Sequence, residues 1–416
     1  MSVANFVLHG SVRFTLPKAS KALHSVQNAT TFSPACSQQA LTPPSPIPPF
    51  VVPVMSENCQ KLNVFVPSSA GFHSKLPVLV WFYGGWVDDK YHSAWGFLGS
   101  KEVIDAGITN LRMRTEHIAA FGGDPSRVVS GHGGVSAGAI SSALLLLSNK
   151  RFDAFMLPGS PVNTGSVREA QPYYDELVAA NNCTGSKNAL DCLRHIPLDA
   201  FKASVDKTPN LFSFSALQNV WHPRIDGDIM VYNPLVSVSK GLYAKIPIMT
   251  GDSDYEGTTN DEFLGYLRSK FVSQSSFPKS APAEVAELLT LYPEDPTHGS
   301  PFDTGLANEI TPEFKRIAAF QGDFTFTGAR RFFLEHASRT QSAWSWLNFI
   351  NNLDPNDCTR GRTTSGVFWP KWNDPSANGS TSLLTLSDPS VVSITAENFR
   401  VDAIKYLFGL LLKEAE

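Results

Sequence analysis

Val128-Val-Ser-Gly-His132-Gly-Gly-Val-Ser136-Ala-Gly138, running on into Ala139-Ile-Ser-Ser-Ala-Leu-Leu-Leu-Leu147, is the stretch on which the fold turns. Its two leading valines suit a buried strand. Ala137 to Leu147 (AGAISSALLLL) reads as a helix, because alanine and leucine lose little on entering one. Between them stands Gly134-Val-Ser136-Ala-Gly138. A serine framed by glycines between a strand and a helix fits a sharp turn where the backbone passes too close to its neighbours for side chains. Such a turn pushes the Ser136 hydroxyl off the end of the sheet and brings the Ala137 N–H beside it. The pattern alone is weak, and a plain turn is the alternative; the strand before it and the helix after it give it weight. Ser130-Gly-His-Gly-Gly is poor strand material, since glycine packs nothing.

Working outward, Leu62 to Val66 (LNVFV) and Val78 to Tyr83 (VLVWFY) read as strands. The second is almost wholly apolar, the pattern of a strand buried on both faces of a parallel sheet. Short apolar runs follow at Ala154 to Leu157 and Ile246 to Met249, with helical or loop segments between. This alternation predicts a doubly wound α/β fold with a central, mostly parallel sheet. Tyr83-Gly84-Gly85-Trp86 closes the apolar strand, either as a plain turn or as a loop whose backbone N–H groups face a site. Leu41 to Pro53 is proline-rich and reads as an extended surface loop. From about Thr395, residues Phe399, Ile404, Leu407, Phe408 and Leu411 recur at helical spacing and predict an amphipathic C-terminal helix packed on the body.

Composition narrows the function classes. The chain has 416 residues, 42% hydrophobic, and a formal net charge of −4. Its 34 basic and 38 acidic residues form no basic footprint for nucleic acid. Its longest apolar runs fall well short of the ~18–20 residues of a membrane span. The leading MSVANFVLHGSVRF lacks the charged start, apolar core and cleavage site of a signal peptide. Asn28, Asn182 and Asn378 each open a glycosylation tripeptide. No histidine and cysteine spacing suggests a metal, and no glycine-rich phosphate loop suggests a nucleotide; no cofactor is expected.

Several ordered segments resemble the type-B carboxylesterase and lipase family, relatives of the cholinesterases, with fungal secreted lipases nearest in appearance. They are Phe32 to Cys36 (FSPAC), Ser56 to Phe65 (SENCQKLNVF), Pro77 to Trp86 (PVLVWFYGGW), Ala94 to Ser100 (AWGFLGS) and His117 to Arg127 (HIAAFGGDPSR). Gly159-Ser-Pro, Ile225-Asp-Gly-Asp, Tyr292-Pro to Gly305 and Trp369-Pro-Lys-Trp follow in the family's order. The resemblance implies a single α/β-hydrolase domain over residues 1–416 and hydrolysis of a small ester or lipid through a serine acyl-enzyme. Ser136 matches the nucleophile. Glu256, in Gly251-Asp-Ser-Asp-Tyr-Glu256-Gly, matches the acid that orients the base histidine; a loop carboxylate is the plain alternative and Asp254 a substitute. Gly84, Gly85 and Ala137 match the oxyanion positions, with Trp86 where the family has a third glycine. Cys36 would pair with Cys59 and Cys183 with Cys192, leaving Cys358 over. A secreted family also implies an extracellular protein.

The chain departs from the family in a patterned way. The family's leader and first strands are missing, and the chain is short at about 86–94, where a core strand is expected, and at 110–116. At 346–347, Trp344-Ser-Trp346 runs straight into Leu347-Asn-Phe, without the loop that bears the base histidine. After Glu256 only His298 and His336 occur; His132 and His336 are the two histidines with a reason to substitute as the base. Clean gaps of this kind resemble skipped segments of a longer message. The alternative function is a catalytically inactive homologue that binds a hydrophobic ligand or a protein partner.

Overall fold

The computed structural model describes residues 13–14, 34–40, 54–57, 59, 64–80, 118–130, 137–148, 154–157, 160–209, 220–228, 230–253, 281–309, 313–337, 356, 367–374, 381–387 and 391–416. Four strands, β1 (Leu76–Val80), β2 (Gly123–Ser130), β3 (Ala154–Leu157) and β4 (Ile248–Thr250), lie side by side in that order, every neighbouring pair parallel. Parallel pairing needs long crossovers, and among the described residues helices occupy those that follow β2 and β3. Helix α1 (Ala137–Leu147) links β2 to β3. Four helices lie between β3 and β4: α2 (Gln171–Ala180), α3 (Ala189–His195), α4 (Leu198–Val205) and α5 (Pro234–Ser239). The predicted α/β architecture is the one observed.

The centre of the sheet follows from local chemistry. Val128 and Val129 are fully buried in β2, while the preceding Asp124 to Arg127 bulges outward, five residues of β2 spanning two of β1. Asp124 Oδ1 accepts hydrogen bonds from the Ser126 backbone and hydroxyl, which closes the bulge. Gly122 precedes it at φ +79°, and a Cβ there would lie 2.6 Å from the Gly71 carbonyl oxygen. Only glycine fits such an approach. Helix α1 is buried from Ala137 to Leu146. Its serines survive burial because Ser141 and Ser142 donate to the Ala137 and Gly138 carbonyls one turn back, at 2.7 and 2.9 Å.

The other side of the core is helical. α6 (Ala281–Leu291), α7 (Phe314–Gly322), α8 (Gly328–Ala337) and α9 (Val401–Ala415) pack together around Leu288, Ile317, Phe320, Phe333, Leu407 and Leu411. A π-helical turn at Asp323–Thr327 joins α7 to α8. Gly328 follows that turn because a Cβ there would meet the Phe408 ring at 2.4 Å. At the turn, the buried Asp323 accepts hydrogen bonds from Arg400 at 2.6 and 2.8 Å and from the Tyr292 hydroxyl at 2.8 Å. One carboxylate thus ties the ends of three helical segments.

Two disulfides, Cys36–Cys59 and Cys183–Cys192, are formed with Cα separations of 4.9 and 5.8 Å. Both pairings are those implied by the resemblance. Among the described residues no helix is long and apolar enough to cross a membrane.

Three expectations need correction. Val64 to Pro67 is irregular rather than a strand, and Phe65 is 81% exposed; no described strand lies alongside to satisfy its backbone. β1 is half-buried rather than covered on both faces, with Leu79 40% exposed, and Trp81 to Tyr83 lie outside the described residues. The C-terminal helix begins at Val401, not near Thr395. The β-branched run Val391–Ala396 instead forms β6, antiparallel to β5 (Ser382–Ser387). Ile404, Leu407, Phe408 and Leu411 do face the core.

Candidate active site

In an open parallel sheet, chemistry gathers at the carboxyl ends of the strands. β2 ends at Ser130 and α1 begins at Ala137, so the Gly134 to Gly138 segment connects a strand end to a helix start, as expected. Ala137 is buried as the first helical residue. A helix start presents unbonded N–H groups and the positive end of the helix dipole, which suits a developing oxyanion. β4 ends at Thr250 and leads into Gly251, Asp252 and Ser253 at the same edge, with Glu256 three residues further along the chain. Ser136, Glu256, Asp254, Gly84, Gly85, His132, Asn28, Asn378 and Cys358 lie outside the described residues.

β3, between β2 and β4, contributes a residue that motif reading named without a role. Ser160, three positions past Leu157, is fully buried, and its Oγ has no partner among the described residues. The available signal was its place in Gly159-Ser-Pro directly after a short strand.

Three of the described histidines, His298, His195 and His336, have local partners of their own. His298 is exposed beside Asp295, 3.1 Å away. His195 is exposed on α3. His336 lies near the last residue of α8, its Nδ1 2.8 Å from the Phe332 carbonyl, and its own carbonyl accepts from Tyr243 Oη. The next residue, Ala244, donates its N–H to the Leu146 carbonyl at the finish of α1. His336 therefore neighbours the far end of α1, and that helix runs about 15 Å at 1.5 Å per residue. The structure does not bring His336 to the helix start that follows Ser136.

Behind the β4 edge is a buried charge network. Arg330, 1% exposed, donates Nε to Asp252 Oδ1 at 2.8 Å and both terminal nitrogens to Glu397. Glu397 also receives Arg331 Nε at 3.3 Å and Trp372 Nε1 at 2.6 Å. Burial pushes the Glu397 carboxyl up, but the charge and hydrogen bonds of Arg330, with Arg331 and Trp372, outweigh it and hold it below its ordinary value. A carboxyl lowered by folding adds stability that is complete above its unfolded pKa and is lost as the pH falls through its folded one. The thermal midpoint should therefore hold down to about pH 5 and fall once the pH drops below about 4.5. Scanning calorimetry of Glu397→Gln should show a lower midpoint at pH 7 and a shallower acid limb.

Comparison with known proteins agrees with this architecture. The sequence profile of the carboxylesterase family matches residues 9–101 and 107–291. "Secreted lipase 1" of Botryotinia fuckeliana is 30% identical, over 85% of this chain and 77% of its own length. "Lipase 2" of Diutina rugosa is 27% identical, over 96% of this chain and 90% of its own. Among solved structures, EstA of Aspergillus niger superposes with a TM-score of 0.73 at 18% identity, covering 98% of this chain and 93% of EstA. A PNB esterase superposes at 0.66 with 19% identity, covering 96% and 93%. These two likenesses establish an α/β-hydrolase fold.

Proposed function

We propose, of a chain that belongs to the carboxylesterase family and is a carboxylic ester hydrolase, that its reaction runs through an acyl-enzyme on Ser136. The observation that carries this reading is that Gly134-Val-Ser136-Ala-Gly138 falls where β2, after its buried Val128 and Val129, gives way to the buried start of α1. The Ser136 oxygen attacks the ester carbonyl while its proton passes to a base, giving a tetrahedral oxyanion. The Ala137 N–H, with those of Gly84 and Gly85, receives that oxyanion. Collapse returns the proton to the leaving alcohol and leaves the acyl group on Ser136. Water, deprotonated by the same base, then releases the carboxylic acid and restores the hydroxyl. Glu256 is the acid of the triad.

The base is the position at which this chain departs from its relatives. Of the two histidines with a reason to serve, His336 sits by the far end of α1. His132 lies four residues before Ser136, in the segment that joins β2 to α1. We assign it the proton-accepting role.

The substrate is a small-molecule ester or lipid, in keeping with relatives named as lipases. Relatives named as secreted support an extracellular location. The two disulfides fit an oxidising compartment, and the exposed Asn182 is the glycosylation acceptor with a described position. The direct assay is release of p-nitrophenol from p-nitrophenyl esters of graded acyl length. Turnover above the buffer rate is expected for at least one length; none at any length would contradict the reading.

A further inference from the structure

Helix α2 ends on two asparagines that the fold uses differently. Asn181 is tied inward: its Nδ2 donates to the Leu177 carbonyl at 2.9 Å and to Ser204 Oγ of α4 at 2.7 Å. Asn182 is exposed, with φ at +56°. The Asn182 N–H bonds to the Ala179 carbonyl at 3.1 Å, and the Cys183 N–H to the Val178 carbonyl at 2.8 Å. This pair of bonds closes a helix on a left-handed residue, a place that glycine usually takes and asparagine tolerates. The next residue is held on every side. Cys183 is fully buried and joined to Cys192, and its carbonyl accepts from the Ser186 N–H at 3.2 Å and the Ser186 hydroxyl at 2.7 Å. Thr184, beyond it, is exposed again.

Asn182-Cys183-Thr184 therefore carries two conflicting demands. As an acceptor of an N-linked glycan, it must offer the Asn182 amide and the Thr184 hydroxyl to one transferase site. The residue between them has to be drawn out in the same stretch of chain. In the folded protein that middle residue is the buried one, and its N–H, carbonyl and sulfur are all bound. Lifting it out means opening the end of α2, the turn at Ser186 and the disulfide together. A segment held by so many bonds opens rarely. Its outer side chains meet solvent, but the tripeptide as a unit does not.

We propose that the glycan is added to Asn182 before Cys183 pairs with Cys192, so that the folded, oxidised chain is no longer an acceptor. The inference rests on the reading of Asn182 as an acceptor. In the transfer, Asn182 Nδ2 bonds to the anomeric carbon of an oligosaccharide and gives up one amide proton. The bond from that carbon to the diphosphate of a lipid carrier breaks, and the diphosphate leaves with the electron pair. The two thiols then pass two electrons and two protons to a disulfide oxidant, which becomes a dithiol. Closure fixes the sugar on the outer side of the α2 end.

The test uses the full chain, a purified oligosaccharyltransferase and a lipid diphosphate-linked oligosaccharide, with glycan at Asn182 read by peptide mass spectrometry. Folded, oxidised chain is compared with chain reduced by dithiothreitol and with Cys192→Ala, which leaves the tripeptide intact. Near-UV circular dichroism gives the folded fraction of each. Transfer to Asn182 should be at least about tenfold faster in the reduced chain and in Cys192→Ala than in the oxidised chain. Thr184→Ala keeps the asparagine that suits the helix end and should take no glycan there in any form. Equal transfer to oxidised and reduced chain would overturn the order of events alone, and that comparison requires no variant to fold. No transfer to Asn182 in any form would instead overturn the acceptor reading, and the order with it.

Discussion

Replacing Ser136 with alanine lowers kcat for ester hydrolysis by about 10³-fold or more, to what binding and oxyanion contacts alone supply. The reason lies in the two-step route. Without the hydroxyl no acyl-enzyme forms, and water must attack the bound ester directly. The substitution removes one oxygen in the segment between β2 and α1, so stability should change little. His132→Asn should produce a loss of similar size, because an unactivated serine hydroxyl is a weak nucleophile. The double variant Ser136→Ala/His132→Asn should be no worse than either single one, as expected of residues that act as a unit. His336→Asn serves as the control. Its ring bonds to its own helix at the far end of α1, and its loss should leave kcat unchanged. Steady-state kinetics on one p-nitrophenyl ester measures all four.

Asp323→Ala produces the largest loss of stability, about 2–4 kcal/mol, because one buried carboxylate that accepts three hydrogen bonds is lost and the buried Tyr292 hydroxyl loses its acceptor. Asp323 is wholly buried in the turn between α7 and α8 and accepts from Arg400 Nε and Nη2 and from the Tyr292 hydroxyl. Removing it takes two hydrogen bonds from the guanidinium at the entry to α9, which keeps the Phe302 and Phe399 rings beside it, and one from the phenol at the end of α6. The phenol already reflects this setting: burial first, then the adjacent Asp323, hold its ionisation well above the ordinary tyrosine value. In a Tyr292→Phe background Asp323→Ala should cost less, since one of the orphaned donors is gone. Urea unfolding of the two single variants and the double one gives the coupling directly. A loss under about 1 kcal/mol for Asp323→Ala would show that the node is not what joins these helices.

What was legible in the sequence was punctuation and periodicity. The strand and helix within Val128 to Leu147 could be read because glycines separate a valine pair from an alanine-leucine run, and the structure has β2 and α1 there, while Gly131 to Ser136 between them lie outside the described residues. The inward face of α9 was equally plain from its spacing. Features set by neighbours were not. VLVWFY looks like a strand covered on both faces, yet Val78 to Val80 are only half-buried, which depends on what packs over them and not on their own residues. LNVFV has strand composition, but Val64 to Pro67 is irregular and no described strand lies beside it. The hairpin of β5 and β6 alternates serine and threonine with leucine, valine and isoleucine, a signal that was present and was missed.

The candidate site divides the same way. The nucleophile and acid positions came from motif and resemblance. The buried Arg330 and Arg331 look in sequence like surface charges on a helix, and no local pattern tells that Asp252 and Glu397 meet them. Only two adjacent arginines running directly into Phe-Phe-Leu, apolar residues that bury, hinted that their side of the helix is covered.

The most direct measurement is labelling of the folded chain with a serine-reactive alkyl phosphonate, followed by peptide mass spectrometry. The account predicts a single stable adduct on the peptide containing Ser136, absent in Ser136→Ala and in chain unfolded before exposure. Turnover of esters with no adduct on Ser136, or an adduct on another serine that tracks activity, would contradict it.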